Sequence, residues 1–264
     1  MMEGSHPQIS IKTMTDDHLE SFIRCPYKFY YQYVLQRHSK GLRWRQVVQH
    51  IVKRVVRKYY TLPLDARSNL NISNLIDKAW RPISLRWFDS RLQYYMVIAK
   101  TSEHLLESLL KGKSETPPFL LYQKLNAYVD ELETRIQVTF ELAEWSSRTF
   151  TIKKFLLQAD VEMFRLYYHL LVVFSAKVFE KLPEKIVLIT LLDGKEHVFF
   201  PKMEDVSSGI QYLLTMKYLL QQHPAEFFQS RTWKDCSHCP FSEKCTEGTA
   251  WVIRENKTNA VFLH

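Results

Sequence analysis

The sequence predicts a mixed α/β (α+β) fold, with a core sheet flanked by helices, a large helical N-terminal part and a C-terminal cysteine loop. Three observations carry this expectation. Apolar residues recur at helical spacing up to about Lys111; from about Thr134 the period drops towards two; and one early cysteine answers three clustered near the end. With 264 residues, 46% hydrophobic and 14% aromatic, the chain can bury a sizeable core. A single domain over 1–264 is expected, with a helical insertion over about 61–116 and the cysteine loop over 235–246.

The elements follow in order. Thr15-Asp16-Asp17 reads as a helix start with acids in its first turn. The helix then places Leu19, Phe22, Ile23, Tyr27, Tyr30 and Tyr31 at helical spacing, with Pro26 inside it as a kink. A second helix is expected from about Arg43 to Tyr60, apolar at Val47, Val48, Ile51, Val52, Val55 and Val56. More helix is expected from about Asn74 to Lys111, and Pro117-Pro118 marks a boundary. Arg135 to Leu142 alternates polar and apolar as a strand does; Thr149 to Lys153 reads as its hairpin partner, with Ser146-Ser147 near the turn. Asp160 to about Phe179 is a strongly apolar helix. Lys185 to Leu192 and His197 to Phe200 form a second hairpin around Asp193-Gly194. A last helix, about Asp205 to Gln222, leads into the cysteines.

The formal net charge is +8, and its distribution matters more than its size. Between Pro26 and Leu64 no acidic residue occurs, against nine basic ones, among them Arg43, Arg45, Lys53, Arg54, Arg57 and Lys58. Such a face suits phosphate backbones, because each Lys or Arg contact releases condensed counterions. The alternative is a solvated helix face that only keeps the protein soluble. The first residues form no secretory signal and no apolar run approaches the roughly 18 residues of a membrane span. The expectation is therefore a soluble, cytoplasmic protein with no membrane association. Only 6 glycines are present, with no Gly-rich phosphate loop and no Ser/His/Asp or Cys/His nucleophile pattern.

In a reducing compartment the cysteines point to a metal. Cys236, Cys239 and Cys245 form a C-x2-C-x5-C run, in which the short gap aims two thiolates at one ion and the third closes over it. Three ligands leave a tetrahedral or cubane centre one short. Cys25 is either the fourth ligand or a buried thiol, and His238 could replace a cysteine in a zinc (Zn) site. Zinc and a 4Fe–4S cluster both accept four thiolates.

The opening Ser21-Phe22-Ile23-Arg24-Cys25-Pro26-Tyr27-Lys28-Phe29-Tyr30 and the closing Cys236-Ser237-His238-Cys239-Pro240-Phe241 through Cys245 resemble the iron–sulfur branch of the PD-(D/E)XK nucleases, as in AddB-type nuclease domains. The resemblance covers nearly the whole chain in the order of its elements. It implies a PD-(D/E)XK nuclease-like core and a 4Fe–4S cluster held by Cys25, Cys236, Cys239 and Cys245. It also implies a catalytic set: a histidine on the basic helix, an acid on one strand, D/E-x-K on the next, then a Q-x-x-x-Y helix. Carboxylates of such a set bind Mg or Mn, which activates water and stabilises the phosphoryl transition state.

Carried over residue by residue, His50 fits the histidine, with Gln46 where a glycine is expected. Lys154 fits the lysine, but Ile152 stands where an acid must bind metal. Thr139 or Glu141 falls near the strand acid. Tyr167 fits the tyrosine, with Met163 in place of its glutamine. A Mg²⁺ ion needs hard oxygen ligands, and Ile152 supplies none. Glu141, Glu144, Asp160 and Glu162 are the acids that relocation could recruit. The expectation is a DNA-binding protein with nuclease activity lost or much reduced, serving a helicase or nuclease partner. Two alternatives stand beside it: an active metal-dependent deoxyribonuclease with relocated acids, and a metal-stapled interaction module that binds no nucleic acid.

Overall fold

The computed structural model describes residues 11–37, 44–111, 117–222 and positions 239, 241 and 245. Six strands and seven α-helices are found among them. The chain divides into two compact units, one formed by residues 1–41 with 214–264 and the other by 42–213. Arg43, Cys236 and His238 lie outside the described residues. No helix among the described residues is long and apolar enough to cross a membrane.

In the first unit a short strand β1 (Thr13–Thr15) leads into α1 (Asp16–Arg24), whose N-cap Thr15 accepts the His18 amide at 3.0 Å. The expected kink at Pro26 is a break. Cys25 is extended, Pro26 opens α2 (Pro26–Phe29), and a π-helical turn follows over Tyr30–Val34. The cause is chemical: Pro26 lacks an amide for α1 and its ring disfavours helical backbone at Cys25, while its fixed φ suits a first helical position. His18, Phe29 and Tyr33 pack as a small aromatic cluster, with His18 4.5 Å from Tyr33 and 6.0 Å from Phe29 between centroids.

The second unit opens with α3 (Trp44–Thr61), close to the expected helix; its Val47, Val48, Ile51, Val52, Val55 and Val56 are all buried. The further helix expected from about Asn74 to Lys111 is divided into α4 (Asn69–Trp80) and α5 (Arg91–Lys111), with a 3-10 turn over Leu85–Trp87 between them. Pro82 supplies the break, and Ser68 caps α4 by accepting the Asn71 amide.

The sheet of this unit runs β2-β3-β4-β5-β6, where β2 is Leu120–Val129, β3 Thr134–Trp145, β4 Phe150–Leu156, β5 Lys185–Thr190 and β6 Lys195–Phe199. All pairings are antiparallel except β4–β5, which are parallel and joined through α6 (Val161–Val178). The sheet is therefore mixed and the fold α/β, as expected. Strand β2 is an addition to the elements that periodicity predicts. Asp160 caps α6 through the Met163 amide at 2.9 Å, and α7 (Glu204–Gln221) follows β6.

One face of the sheet packs Leu142, Phe155, Val187, Ile189 and Leu191 against α3, α4 and α5. On the α6 side Phe140, Phe150, Phe174 and Phe179 form an aromatic core with centroids 5.4–6.4 Å apart. The β5–β6 turn requires its glycine: Gly194 has φ +69, and a Cβ there would lie 2.5 Å from the His104 ring.

Candidate functional site

The β3–β4 ladder pairs Leu142 with Lys153 through to Trp145 with Phe150, and its register ends there. Beyond that point Phe155 still pairs with β5. Its amide is satisfied by a side chain: it donates to Glu141 Oε2 at 2.8 Å. The other carboxylate oxygen, Oε1, lies 3.1 Å from Lys154 Nζ. Lys154 Nζ in turn stands 4.5 Å from the centre of the Tyr167 ring on α6. Glu141 and Lys154 are only 6% and 5% exposed. Three of the four residues of the expected catalytic set therefore meet in one buried cluster.

The fourth, His50, is exposed on α3. It is its neighbour Gln49 that reaches β4, donating from Nε2 to the Phe155 carbonyl at 2.7 Å. Ile152, at the position where the resemblance implies a metal-binding acid, is an apolar core residue, 1% exposed. Met163 is likewise buried, and Gln46 is exposed.

The acids that relocation could recruit are engaged elsewhere. Glu144 Oε2 holds Lys153 Nζ at 2.7 Å, and Asp160 caps α6. Glu162 lies 3.6 Å from Arg165. Glu144–Lys153 is a second ion pair, with its carboxylate buried, that no motif in the sequence singles out. Burial first, and then the Glu144 charge, pushes the neighbouring Tyr60 hydroxyl's pKa upward. Burial above all, and then the Glu141 charge, does the same to Tyr122. Glu144 stands opposite Thr151 in the β3–β4 register, so its ion pair with Lys153 runs diagonally across the ladder.

The cations of the basic helix largely face outward. Arg45, Arg54, Arg57 and Lys58 are exposed on α3, and Lys53 is half-buried with Nζ 5.4 Å from the Tyr122 ring centre. Arg45 also stacks on Trp44 at 4.6 Å and reaches Gln158 Oε1 at 3.4 Å. Trp44 packs on Phe88 with centroids 6.1 Å apart, so it serves the core.

In the first unit Cys25 caps α2, its Sγ accepting the Lys28 amide at 3.4 Å. The π-helical turn that follows stacks Tyr31 on Phe241 of the cysteine loop, with centroids 5.4 Å apart. Burial raises the Tyr31 pKa, and the charge of a Cys245 thiolate adds to the effect. Cys245 is buried and Cys25 and Cys239 are half-buried. The early cysteine segment and the late loop thus share one compact unit. Among the described residues no three His, Cys, Asp or Glu side chains converge to hold a metal ion.

The chain matches no family model and no curated protein. Among solved structures it is similar to SSO0001 over 88% of this chain and 95% of that one, at 14% identity and a TM-score of 0.35. A likeness of that degree carries no argument about function.

Proposed function

We propose that the chain is a DNA-binding protein on an iron–sulfur PD-(D/E)XK nuclease-like fold, with metal-dependent cleavage lost or much reduced. The observation that carries this reading is the buried Glu141–Lys154–Tyr167 cluster beside the apolar Ile152. Both Glu141 oxygens already accept hydrogen from Lys154 and the Phe155 amide, so a divalent ion there would have to compete with a buried ion pair. The remnant set serves the fold: it closes the gap where the β3–β4 ladder ends.

Binding would fall to the exposed cations of α3, Arg45, Arg54, Arg57 and Lys58, with Lys53 and Arg43 alongside. A 4Fe–4S cluster is the cofactor proposed for Cys25, Cys236, Cys239 and Cys245. Its support is the donor set: three thiols of one unit, with a backbone amide aimed at the Cys25 sulfur. The cluster would staple the two ends of the chain. A cytoplasmic setting follows from the need to keep these thiols reduced. A non-catalytic subunit of a helicase or nuclease assembly is the role that this combination fits.

The test is fluorescence anisotropy with a labelled oligonucleotide, beside a cleavage assay in Mg²⁺ and Mn²⁺. Binding should weaken steeply with salt. Arg54→Ala/Arg57→Ala/Lys58→Ala should lower the slope by about two to three, at about 0.7–0.9 for each phosphate no longer neutralised. Cleavage that disappears on Lys154→Ala would establish an active nuclease instead. No binding of DNA or RNA at low salt would leave a protein-interaction module.

A further inference from the structure

We infer that the outer face of the β2–β3 hairpin is a binding surface for an unpaired nucleic-acid strand, with Tyr128 as its stacking platform. The inference rests on the reading above and extends it to a surface that the basic helix does not include. Register divides the hairpin into two faces. Leu125, Ala127 and Val129 oppose Val138, Ile136 and Thr134, and this set is mostly buried. Lys124, Asn126 and Tyr128 oppose Thr139, Gln137 and Arg135 on the other face. There Lys124, Asn126, Tyr128 and Arg135 are exposed, and Tyr128 is 55% so.

Composition then selects the partner. Residues 117–129 and 134–140 contain no acidic side chain, which extends to this hairpin the acid-free character of the α3 segment. The face combines two cations, two amides and one exposed aromatic ring beside an arginine. That combination matches an unpaired strand: cations for phosphates, Asn126 and Gln137 for base edges, and a ring for stacking. A protein partner's apolar face would find little here, since Tyr128 is the one large apolar group exposed on these strands up to Phe140.

The surface is also continuous with α3. Tyr122, at the start of β2, has φ +48 and lies under Lys53, with Arg57 close enough to act on its hydroxyl. Cations of α3 and those of the hairpin therefore flank one path. From Lys124 to Tyr128 that path runs about 13 Å along the strand. It stops at the acidic turn of Asp130, Glu131 and Glu133, where Glu131 is paired with Lys177. Those carboxylates repel phosphate and so set the end of the track.

The experiment compares a labelled single strand with the matching duplex, using the full chain and its variants. Tyr128→Ala and Tyr128→Ala/Arg135→Ala should weaken single-strand binding about ten-fold or more, whereas Tyr128→Phe, which keeps the ring, should bind as the parent does. Melting curves should be unchanged, because Tyr128 is exposed. If both alanine variants bind the single strand like the parent while Arg54→Ala/Arg57→Ala weakens it, the hairpin inference falls and the basic-helix reading stands. If the hairpin variants lose binding and the helix variant does not, the hairpin inference holds and that reading falls. No binding by the parent overturns both.

Discussion

Replacing Lys154 by methionine keeps most of the side chain's length and removes its charge from the Glu141 carboxylate. At 3.1 Å and an effective dielectric of about 20, the attraction between the two charges is about 5 kcal/mol. Desolvating both ions takes back most of that gain, so the intact pair adds little net stability. Breaking it is another matter: Glu141, 6% exposed, would keep its bond from the Phe155 amide but not the ammonium that balances its charge. Lys154→Met is therefore expected to cost about 3–5 kcal/mol, the cation–π attraction to Tyr167 included. Glu141→Gln/Lys154→Met removes both charges while the amide oxygen still accepts from Phe155, and it should cost far less than the two single changes together. Urea denaturation of the four proteins reads this out, at equal m-values. A Lys154→Met protein within about 0.5 kcal/mol of the parent, or a double variant that simply adds the two losses, would refute the account of this site as a structural ion pair.

Two other expectations concern the cofactor and pH. Anaerobic purification should yield iron and sulfide in the ratio of a 4Fe–4S cluster, lost on Cys25→Ser together with stability on the order of 5 kcal/mol, the chain-entropy estimate for so long a closed loop. Zinc without iron, indifferent to Cys25, would remove the iron–sulfur reading. Burial lowers the pKa of both His18 and His169 below the ordinary 6.5. Below pH 6.5 the unfolded chain then takes up protons that the folded chain refuses, so this contribution to stability is full above that pH and is lost as pH falls through the lowered folded-state values. Melting temperature against pH checks the sign, and His18→Phe, which keeps an aromatic ring against Phe29 and Tyr33, should flatten part of the slope.

The helices α3, α6 and α7 and the β3–β4 and β5–β6 strands were legible because each carries its own signal. Valines of α3 recur at helical spacing, Asp160 caps α6, and Gly194 marks the β5–β6 turn. Strand β2 was not legible in the same way. Its alternation of Lys124, Asn126 and Tyr128 with Leu125, Ala127 and Val129 is preceded by the apolar run Leu120-Leu121-Tyr122, which breaks the period of two, and the strand is defined by its register with β3. The break between Trp80 and Arg91 hung on the single Pro82, whose effect on a helix depends on what the surroundings can satisfy.

Sequence by itself determined the residue types of the candidate sites: four cysteines, a basic helix free of acids, a lysine and a tyrosine without their acidic and amide companions. Tertiary structure alone decided what those residues meet. The Glu141–Lys154–Tyr167 cluster exists because the β3–β4 ladder stops at Leu142, next to Glu141, leaving the Phe155 amide for a carboxylate to satisfy. Likewise the stacking of Tyr31 on Phe241 joins segments some two hundred residues apart, a pairing that no local periodicity encodes. Local signals follow from backbone sterics and side-chain period; which charges pair across a fold follows from where hydrogen-bond ladders start and stop.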